Sequence, residues 1–388
     1  MATGSPGKNI LYFALPVFAG NLFQQIYNVV DTVIVGKFVS TEALAAVGST
    51  GTINFMILGF MTGLMAGITV LTSQRFGAED MRGMRRSVAS AGMIAIAATI
   101  ILTAISLLGM HRLLVLMNTP DDIFDDAYRY IMIICAGILV QALYNLFACI
   151  LRALGNSKVP LYFLLFSASM NIILDLVSII VLKMGVAGAA YATVISQGVS
   201  AVLCFIYMVK KVPILHLTRE DFHVEGRLIK NQLAVGLPMA FQYSITAIGT
   251  TMVQMALNTL GSTYVAAFTA ASKCEQMAGQ AYIALGSAMA TFAAQNVGAG
   301  RYDRVRKGFA RATMFGVIFS VVIGLVMYFF GYIVTGLFVT GDATQIEGMV
   351  DTYMKYTALF LIPLTVVNVY RNGIQGMGYG LLPMTAGI

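Results

Sequence analysis

Charge is scarce in this sequence. Its 388 residues include only 17 acidic and 24 basic side chains. They make up 11% of the chain, against roughly 25% in an ordinary soluble domain. So few charges cannot cover the surface of a water-soluble protein of this length. Because 58% of the residues are hydrophobic, we expect lipid to be the main solvent and the chain to be a polytopic helical membrane protein.

Cysteine and histidine are also rare, which excludes several kinds of site. The cysteines lie inside apolar runs without disulfide or metal-ligand spacing; they are Cys135, Cys149, Cys204 and Cys274. The three histidines form no paired His/Cys arrangement, and no catalytic pattern such as HExxH or GxSxG occurs. We therefore predict that the protein is not an enzyme and needs no cofactor.

Apolar runs long enough to cross a bilayer, about 20 residues each, recur along the whole chain. We predict ten spans, at about 10–36, 43–73, 88–117, 128–152, 159–182, 185–209, 229–258, 263–295, 309–336 and 350–376. A shorter apolar stretch begins near Leu381. The least apolar segment, 210–230, separates the chain into two halves.

The two halves resemble each other at a nearly constant offset. Pro16 aligns with Pro238 at an offset of 222, and the loop at 73–87 aligns with the loop at 293–308 at an offset of 221. Two further segment pairs match in the same order at offsets of 222 and 223. The order and the constancy of these matches indicate an internal duplication of a six-span unit, with both copies in parallel orientation.

The duplication predicts an all-α membrane fold of two six-helix lobes. We place the N-terminal lobe at 1–210, an inter-lobe linker at 211–228 and the C-terminal lobe at 229–388. Under the same pairing, the counterparts of 159–209 would lie beyond Ile388. We therefore expect the sequence to lack the last two spans of a twelve-span plan.

The bases are distributed unequally between the two sides of the predicted spans. Eighteen of the 24 lie on one side and five on the other, and the side rich in lysine and arginine is normally cytoplasmic. We expect a multi-pass protein of the bacterial inner membrane with its N-terminus in the cytoplasm. Its partners would be lipids and small molecules rather than nucleic acid, and we expect a monomer.

Four charged residues fall well within the predicted spans, where a charge is costly and marks a candidate site. They are Asp31, Asp175, Lys273 and Glu275. Lys273 and Glu275 are two residues apart and therefore point to different faces of a helix. A structural charge pairing, partners on other spans and contact with substrate all remain open for these two.

Polar side chains at helical spacing accompany the aspartates. The first span carries a stripe on one face, formed by Gln24, Tyr27, Asn28 and Asp31. In the fifth span Asn171 lies four residues before Asp175. Further polar residues lie within other spans, namely Asn145, Thr193, Gln197, Gln242 and Gln276. These stripes predict a polar chamber in which two carboxylates exchange protons or hold Na⁺ with neighbouring oxygens.

Three candidate residues have an equally plausible structural alternative. Asn145 and Gln197 are residue types that often hydrogen-bond between membrane helices without further function. Pro16 lies inside the first span, where a proline removes a backbone donor and bends a helix. A hinge and an ordinary membrane-helix proline are both open for it.

Several segments together resemble the multidrug and toxic compound extrusion (MATE) family, in particular its DinF-like and related bacterial exporters. They are ALPVFAGNLFQQIYNVVDTVIVGKF, the loops SQRFGAED and AQNVGAG, LRALGNSKVP and SKCEQ. The resemblance covers essentially the whole chain. It implies twelve helices in two six-helix lobes arranged as a V, so it again implies that two helices are absent.

The resemblance also implies roles for individual residues. The family's cation site in the N-terminal lobe would consist here of Tyr27, Asp31, Asn171, Asp175 and Thr193. Pro16 matches a proline at which the first helix bends in some family models, and Glu275 matches a glutamate that matters in some members. The acids that one branch carries in the seventh and tenth helices have no counterpart in this sequence.

We therefore predict a secondary antiporter that exports amphipathic, often cationic, organic compounds in exchange for H⁺ or Na⁺. The substrate-cavity candidates are Gln24, Asn28, Asn145, Gln197, Gln242, Lys273, Glu275 and Gln276. The alternative is a flippase for lipid-linked oligosaccharides, whose pyrophosphate would require several buried bases, and only Lys273 qualifies. A channel is disfavoured because a repeat with isolated acids suits a gated central site.

Overall fold

The chain is almost wholly helical in the computed structural model, which describes residues 1–223, 225–330 and 344–386. The first half contains α1 (Pro6–Phe38), α2 (Thr41–Ser49), α3 (Gly51–Ile68), α4 (Val70–Gly77), α5 (Met81–Leu116), α6 (Asp121–Ala136), α7 (Ile138–Ala153), α8 (Lys158–Leu176) and α9 (Val186–Lys211). The second half contains α10 (Gly226–Asn258), α11 (Ser262–Gly298), α12 (Tyr302–Phe330), α13 (Thr344–Gly376) and α14 (Leu381–Thr385). The predicted all-α architecture is confirmed.

Two predicted spans are broken helices rather than continuous ones. The run at 43–73 forms α2, α3 and α4, and the hydroxyl of Ser40 caps α2 by accepting the Ala43 N–H at 3.0 Å. The run at 128–152 forms α6 and α7, which meet at a bend of 48°. At this bend, a Cβ on Gly137 would lie 2.4 Å from the side chain of Val194. The bend therefore occurs where α9 approaches the backbone too closely for any side chain.

The described chain contains several helices that are long and apolar enough to cross a membrane. Five meet the requirements of length and hydropathy, and the bent pair α6–α7 makes a sixth. Four others have 33 to 37 residues but carry the polar stripes; they are α1, α10, α11 and α13. On α5, Leu108 exposes 85% of its surface, as expected of a lipid-facing side chain. The end of the predicted 309–336 span beyond Phe330 lies outside the described residues.

The predicted linker is packed against the N-terminal half. It contains short 3-10 turns at Pro213–Leu215 and Arg219–Phe222, and α10 already begins at Gly226. Asp221 accepts hydrogen bonds from the backbone N–H and the hydroxyl of Thr218 and lies 3.5 Å from Arg85. Burial raises the pKa of this carboxyl, but these bonds and the nearby guanidinium groups lower it by more. Its net pKa is therefore below the ordinary value.

The two halves contact each other along two sets of helices. In one, α3 packs against α10, and in the other α1 and α4 pack against α11. The seam between α3 and α10 narrows towards the end of the molecule that carries the N-terminus. We call this end the basic face, since it holds the basic residues within 75–86 and 301–311. A Cβ added to α3 would lie 3.3 Å from the nearest atom of α10 at Gly59 and 2.5 Å at Gly67. The two halves thus form a V that closes towards the basic face.

The basic face is closed by two equivalent contacts, which we call the glutamine clasps. Gln74 donates its side-chain N–H to the carbonyl of Gly376 at 3.1 Å, and Gln295 donates to the carbonyl of Ala153 at 2.7 Å. These donors are 221 residues apart and the acceptors 223 apart, which are the offsets of the sequence repeat. Each copy of the duplicated unit therefore supplies one donor to the opposite half.

Candidate functional site

Two carboxyl groups meet inside the N-terminal lobe. Asp31 on α1 and Asp175 on α8 lie within hydrogen-bonding reach of each other. Asp175 is fully buried, and each side chain has one oxygen, Oδ1, without a partner in the described part of the chain. Two ionised carboxylates at this depth repel each other and lack water. A proton or a cation bound between them would offset both effects.

Amide and hydroxyl groups surround this pair. Asn171, one turn before Asp175 on α8, is buried. In the amide orientation that suits its neighbours, its nitrogen donates to Asp175 Oδ2 at 2.9 Å and its oxygen accepts the Thr193 N–H at 3.2 Å. The Thr193 hydroxyl in turn bonds to Tyr27. Directly after Asp175, α8 widens into a π-helical turn at Val177–Val181, a feature that is frequent at functional sites.

The structure thus brings together all five residues that the family resemblance implied for the cation site: Tyr27, Asp31, Asn171, Asp175 and Thr193. Their role in binding a cation stays a prediction. A sixth polar residue, Tyr130 on α6, is buried within electrostatic range of both aspartates. Sequence pattern did not point to it, because Tyr130 has no polar neighbour at helical spacing within its apolar run.

A polar chamber of about 260 Å³ extends from Tyr27, the neighbour of this pair, towards the basic face. Its lining includes several predicted residues, namely Pro16, Gln24, Tyr27, Asn145 and Gln197. The side-chain nitrogen of Gln141 also faces it and has no partner among the described residues. Asn28, which was predicted on the same face of the first span, is exposed and does not line the chamber.

The predicted residues of the C-terminal half do not converge on one point. Glu275 accepts a hydrogen bond from the hydroxyl of Tyr353 and lines a cavity of about 740 Å³ between α11 and α13. Lys273 is exposed and forms no ion pair with Glu275, so Glu275 has its partner on another span. Gln276 is also exposed, and only its backbone carbonyl is bonded, by the side chain of Gln280.

Two arginines that were not among the predicted site residues lie in the interior. Arg152 belongs to the last turn of α7 and lines the polar chamber, and Arg371 lies within α13. Arg371 donates through Nη1 and Nε to the amide oxygen of Gln242 at 3.1 and 3.2 Å, in the orientation that satisfies this amide. A signal existed for Arg371, because it falls inside the predicted span at 350–376.

Comparisons with known proteins agree with this geometry. A model of the MatE family matches residues 16–177 and 238–388, two segments that begin 222 residues apart. The probable multidrug resistance protein YpnP of Bacillus subtilis is 30% identical over 372 residues, which cover 96% of this chain and 82% of that protein. The probable multidrug resistance protein NorM of Thermotoga maritima is 24% identical over 388 residues, which cover 97% of this chain and 81% of NorM.

Solved structures show the same fold. An outward-facing conformation of a multidrug resistance MATE family transporter superposes with a TM-score of 0.93 at 23% identity. The superposition covers 99% of this chain and 86% of that one.

Proposed function

Since this chain belongs to the MatE family, whose members are transporters and not enzymes, we propose that it exports organic compounds in exchange for H⁺ or Na⁺. The observation that carries the proposal is the buried carboxyl pair of Asp31 and Asp175, which has unsatisfied oxygens and polar neighbours. An intramembrane acid of this kind marks an ion pathway. The substrates are amphipathic and often cationic, and the protein acts as a monomer.

The names of its relatives support a broad range of substrates. YpnP and NorM are described as probable multidrug resistance proteins, and we extend that role to this chain. Its cavities suit it, because the space of about 740 Å³ beside Glu275 is lined by aromatic side chains such as Tyr353 and Phe360. Aromatic walls bind varied organic cations with little directional demand.

Alternating access follows from the V shape. With the basic face in the cytoplasm, the clasped conformation opens outwards. A cation that binds at Asp31 and Asp175 neutralises the chamber and disfavours a cationic substrate, which leaves to the outside. The lobes then rock to open the basic face, release the cation and accept new substrate.

Ion gradients that are imposed one at a time distinguish coupling to H⁺ from coupling to Na⁺. Purified protein in liposomes is expected to accumulate ethidium, a permanent organic cation, when the lumen is acidic or rich in Na⁺, because substrate and ion move in opposite directions. Each gradient is imposed alone with the membrane potential clamped by valinomycin and K⁺, and lumenal DNA reports ethidium by fluorescence. Protein-free liposomes are the control. Uptake that ignores both gradients would exclude antiport, and a response to one alone identifies the ion.

A further inference from the structure

Two guanidinium groups from opposite halves of the molecule face one region of the seam. Arg152 of α7 lines the polar chamber, and Arg371 of α13 reaches Gln242 of α10. Tyr243, the next residue on α10, lies against Gly59 of α3 and within electrostatic range of both arginines. The basic-face end of the cleft therefore carries two positive charges.

The partners of these two arginines are electrically neutral. Arg152 donates from Nε to the carbonyl of Ala148 at 3.2 Å, and its Nη2 lies 3.7 Å from the sulfur of Cys149. Arg371 meets the amide oxygen of Gln242. Within the ranges 1–223, 225–330 and 344–386, no carboxylate lies within 4.0 Å of either group. Neither charge is balanced by an acid among these residues.

The two aspartates of the candidate cation site lie far from the two arginines, towards the opposite ends of their helices. Ser157 lines the chamber together with Arg152 at the start of α8, and Asp175 is 18 residues further along. At the rise of an α-helix this is about 27 Å. The interior thus holds negative charge around the aspartates and positive charge at the basic-face end. At this distance an anionic group of a ligand can pair with the arginines without strong repulsion from the aspartates.

An unbalanced guanidinium inside a membrane protein is costly unless a ligand pairs with it. A guanidinium has five donors, and Arg371 uses only two of its nitrogens in the contacts described. Its planar fork matches a carboxylate or a phosphate. We propose that Arg152 and Arg371 form an anion subsite that binds the carboxylate of a zwitterionic amphipathic substrate. The inference rests on the proposed export function and extends its substrates beyond simple cations.

Equilibrium binding to the purified full chain tests the subsite without requiring transport. Rhodamine 110 carries a free carboxylate, and rhodamine 123 is its methyl ester, so the two dyes differ in one charge. Fluorescence polarisation in a neutral detergent is expected to show tighter binding of rhodamine 110. Arg152→Gln and Arg371→Gln are each expected to weaken the binding of rhodamine 110 about tenfold relative to the binding of rhodamine 123. This factor corresponds to about 1.4 kcal/mol.

Matched variants guard against general damage to the fold. Arg306→Gln removes an exposed base on the same face and is expected to leave the ratio of the two affinities unchanged. Arg152→Lys and Arg371→Lys keep the charge but lose the fork, so they should fall between wild type and the glutamine variants. If a glutamine variant does not fold, the lysine variant at the same position tests the proposal in its place.

Three results would overturn the proposal. One is wild-type protein that binds the ester as tightly as the acid, and another is an equal loss of both dyes in the arginine variants. The third is displacement of rhodamine 110 by phosphatidylglycerol but not by acetate, which would assign the subsite to a lipid phosphate, as a flippase would need. Because binding is measured without a gradient, failure of antiport in the liposome experiment leaves this test intact.

Discussion

Asp175→Asn is expected to lower gradient-driven ethidium uptake about 100-fold, the upper range of typical coupling between two sites. Asparagine has nearly the same shape as aspartate, and its oxygen can still accept the bond from Asn171. The variant loses only the ability to ionise. The unpartnered oxygen of Asp175 beside Asp31 is then no longer a place where a proton or Na⁺ can bind.

Asp31→Asn should have the same effect, because the two carboxyl groups lie within hydrogen-bonding reach and act as one site. Asp303→Asn makes the same chemical change at an exposed position on the basic face, and its uptake should equal that of wild type. The measurement is the liposome uptake assay under whichever gradient drives the wild-type protein. Equilibrium binding of ethidium, measured in parallel, should be retained.

This pattern separates coupling from substrate binding. A variant that has lost both ethidium binding and uptake would point to a damaged fold or to a direct substrate contact. Uptake at the wild-type rate in both aspartate variants would show that coupling does not pass through this pair. The cation would then have to bind elsewhere, and Glu275 with Tyr353 would be the next site to examine.

The candidate cation site was the part most accessible from sequence. Helical spacing placed Asn171 one turn from Asp175 and Tyr27 one turn from Asp31, and the resemblance grouped these residues with Thr193 in one site. Polar residues at helical spacing show which residues share one face of a helix. They do not show which other helix that face packs against. Asn28 shows this limit, because it shares the stripe of the first span yet lies outside the chamber.

Other features were hidden for physical reasons. The breaks that separate α2, α3 and α4 lie within one apolar run, and hydrophobicity does not record a change in helix direction. The bend at Gly137 depends on contact with Val194, which is distant in sequence. Arg152 lies at the very end of the predicted span at 128–152, and its apolar run gave no sign that helix α7, which ends at Ala153, directs this side chain into the chamber.

The structural role of the repeat is visible only in the three-dimensional structure. Equal offsets paired Gln74 with Gln295 and Gly77 with Gly298, but a repeat does not say that its copies touch. In the structure each glutamine bonds across the seam. Each glycine lies against the backbone of the glutamine in the other copy. The closed basic face is therefore a consequence of the duplication.

Gly77→Ala is expected to open the basic face. Its Cβ would lie 2.0 Å from the backbone oxygen of Gln295, which cannot move aside as a flexible side chain would. Overpacking of this kind typically costs about 1–3 kcal/mol. A cost in that range lowers the closed population about tenfold relative to the open one. The clasp between Gln295 and Ala153 should break as the lobes separate.

Double electron–electron resonance checks this outcome directly. Spin labels at Lys158 and Tyr302, exposed positions in the two halves on the basic face, should show a longer distance in Gly77→Ala than in wild type. Gly92→Ala is the matched control, because no atom lies within 4 Å of its added Cβ. Alanine is favoured over glycine inside a helix by about 1 kcal/mol, so the control should be at least as stable as wild type.

The two copies of the repeat make the test sharper. A Cβ on Gly298 would lie within 2 Å of the backbone oxygen of Gln74, so Gly298→Ala should lengthen the same distance by a similar amount. If the duplicated contacts act together, either substitution alone releases both clasps, and the double variant opens little further. An increase in distance confined to one variant would show that one clasp is enough to hold the basic face closed.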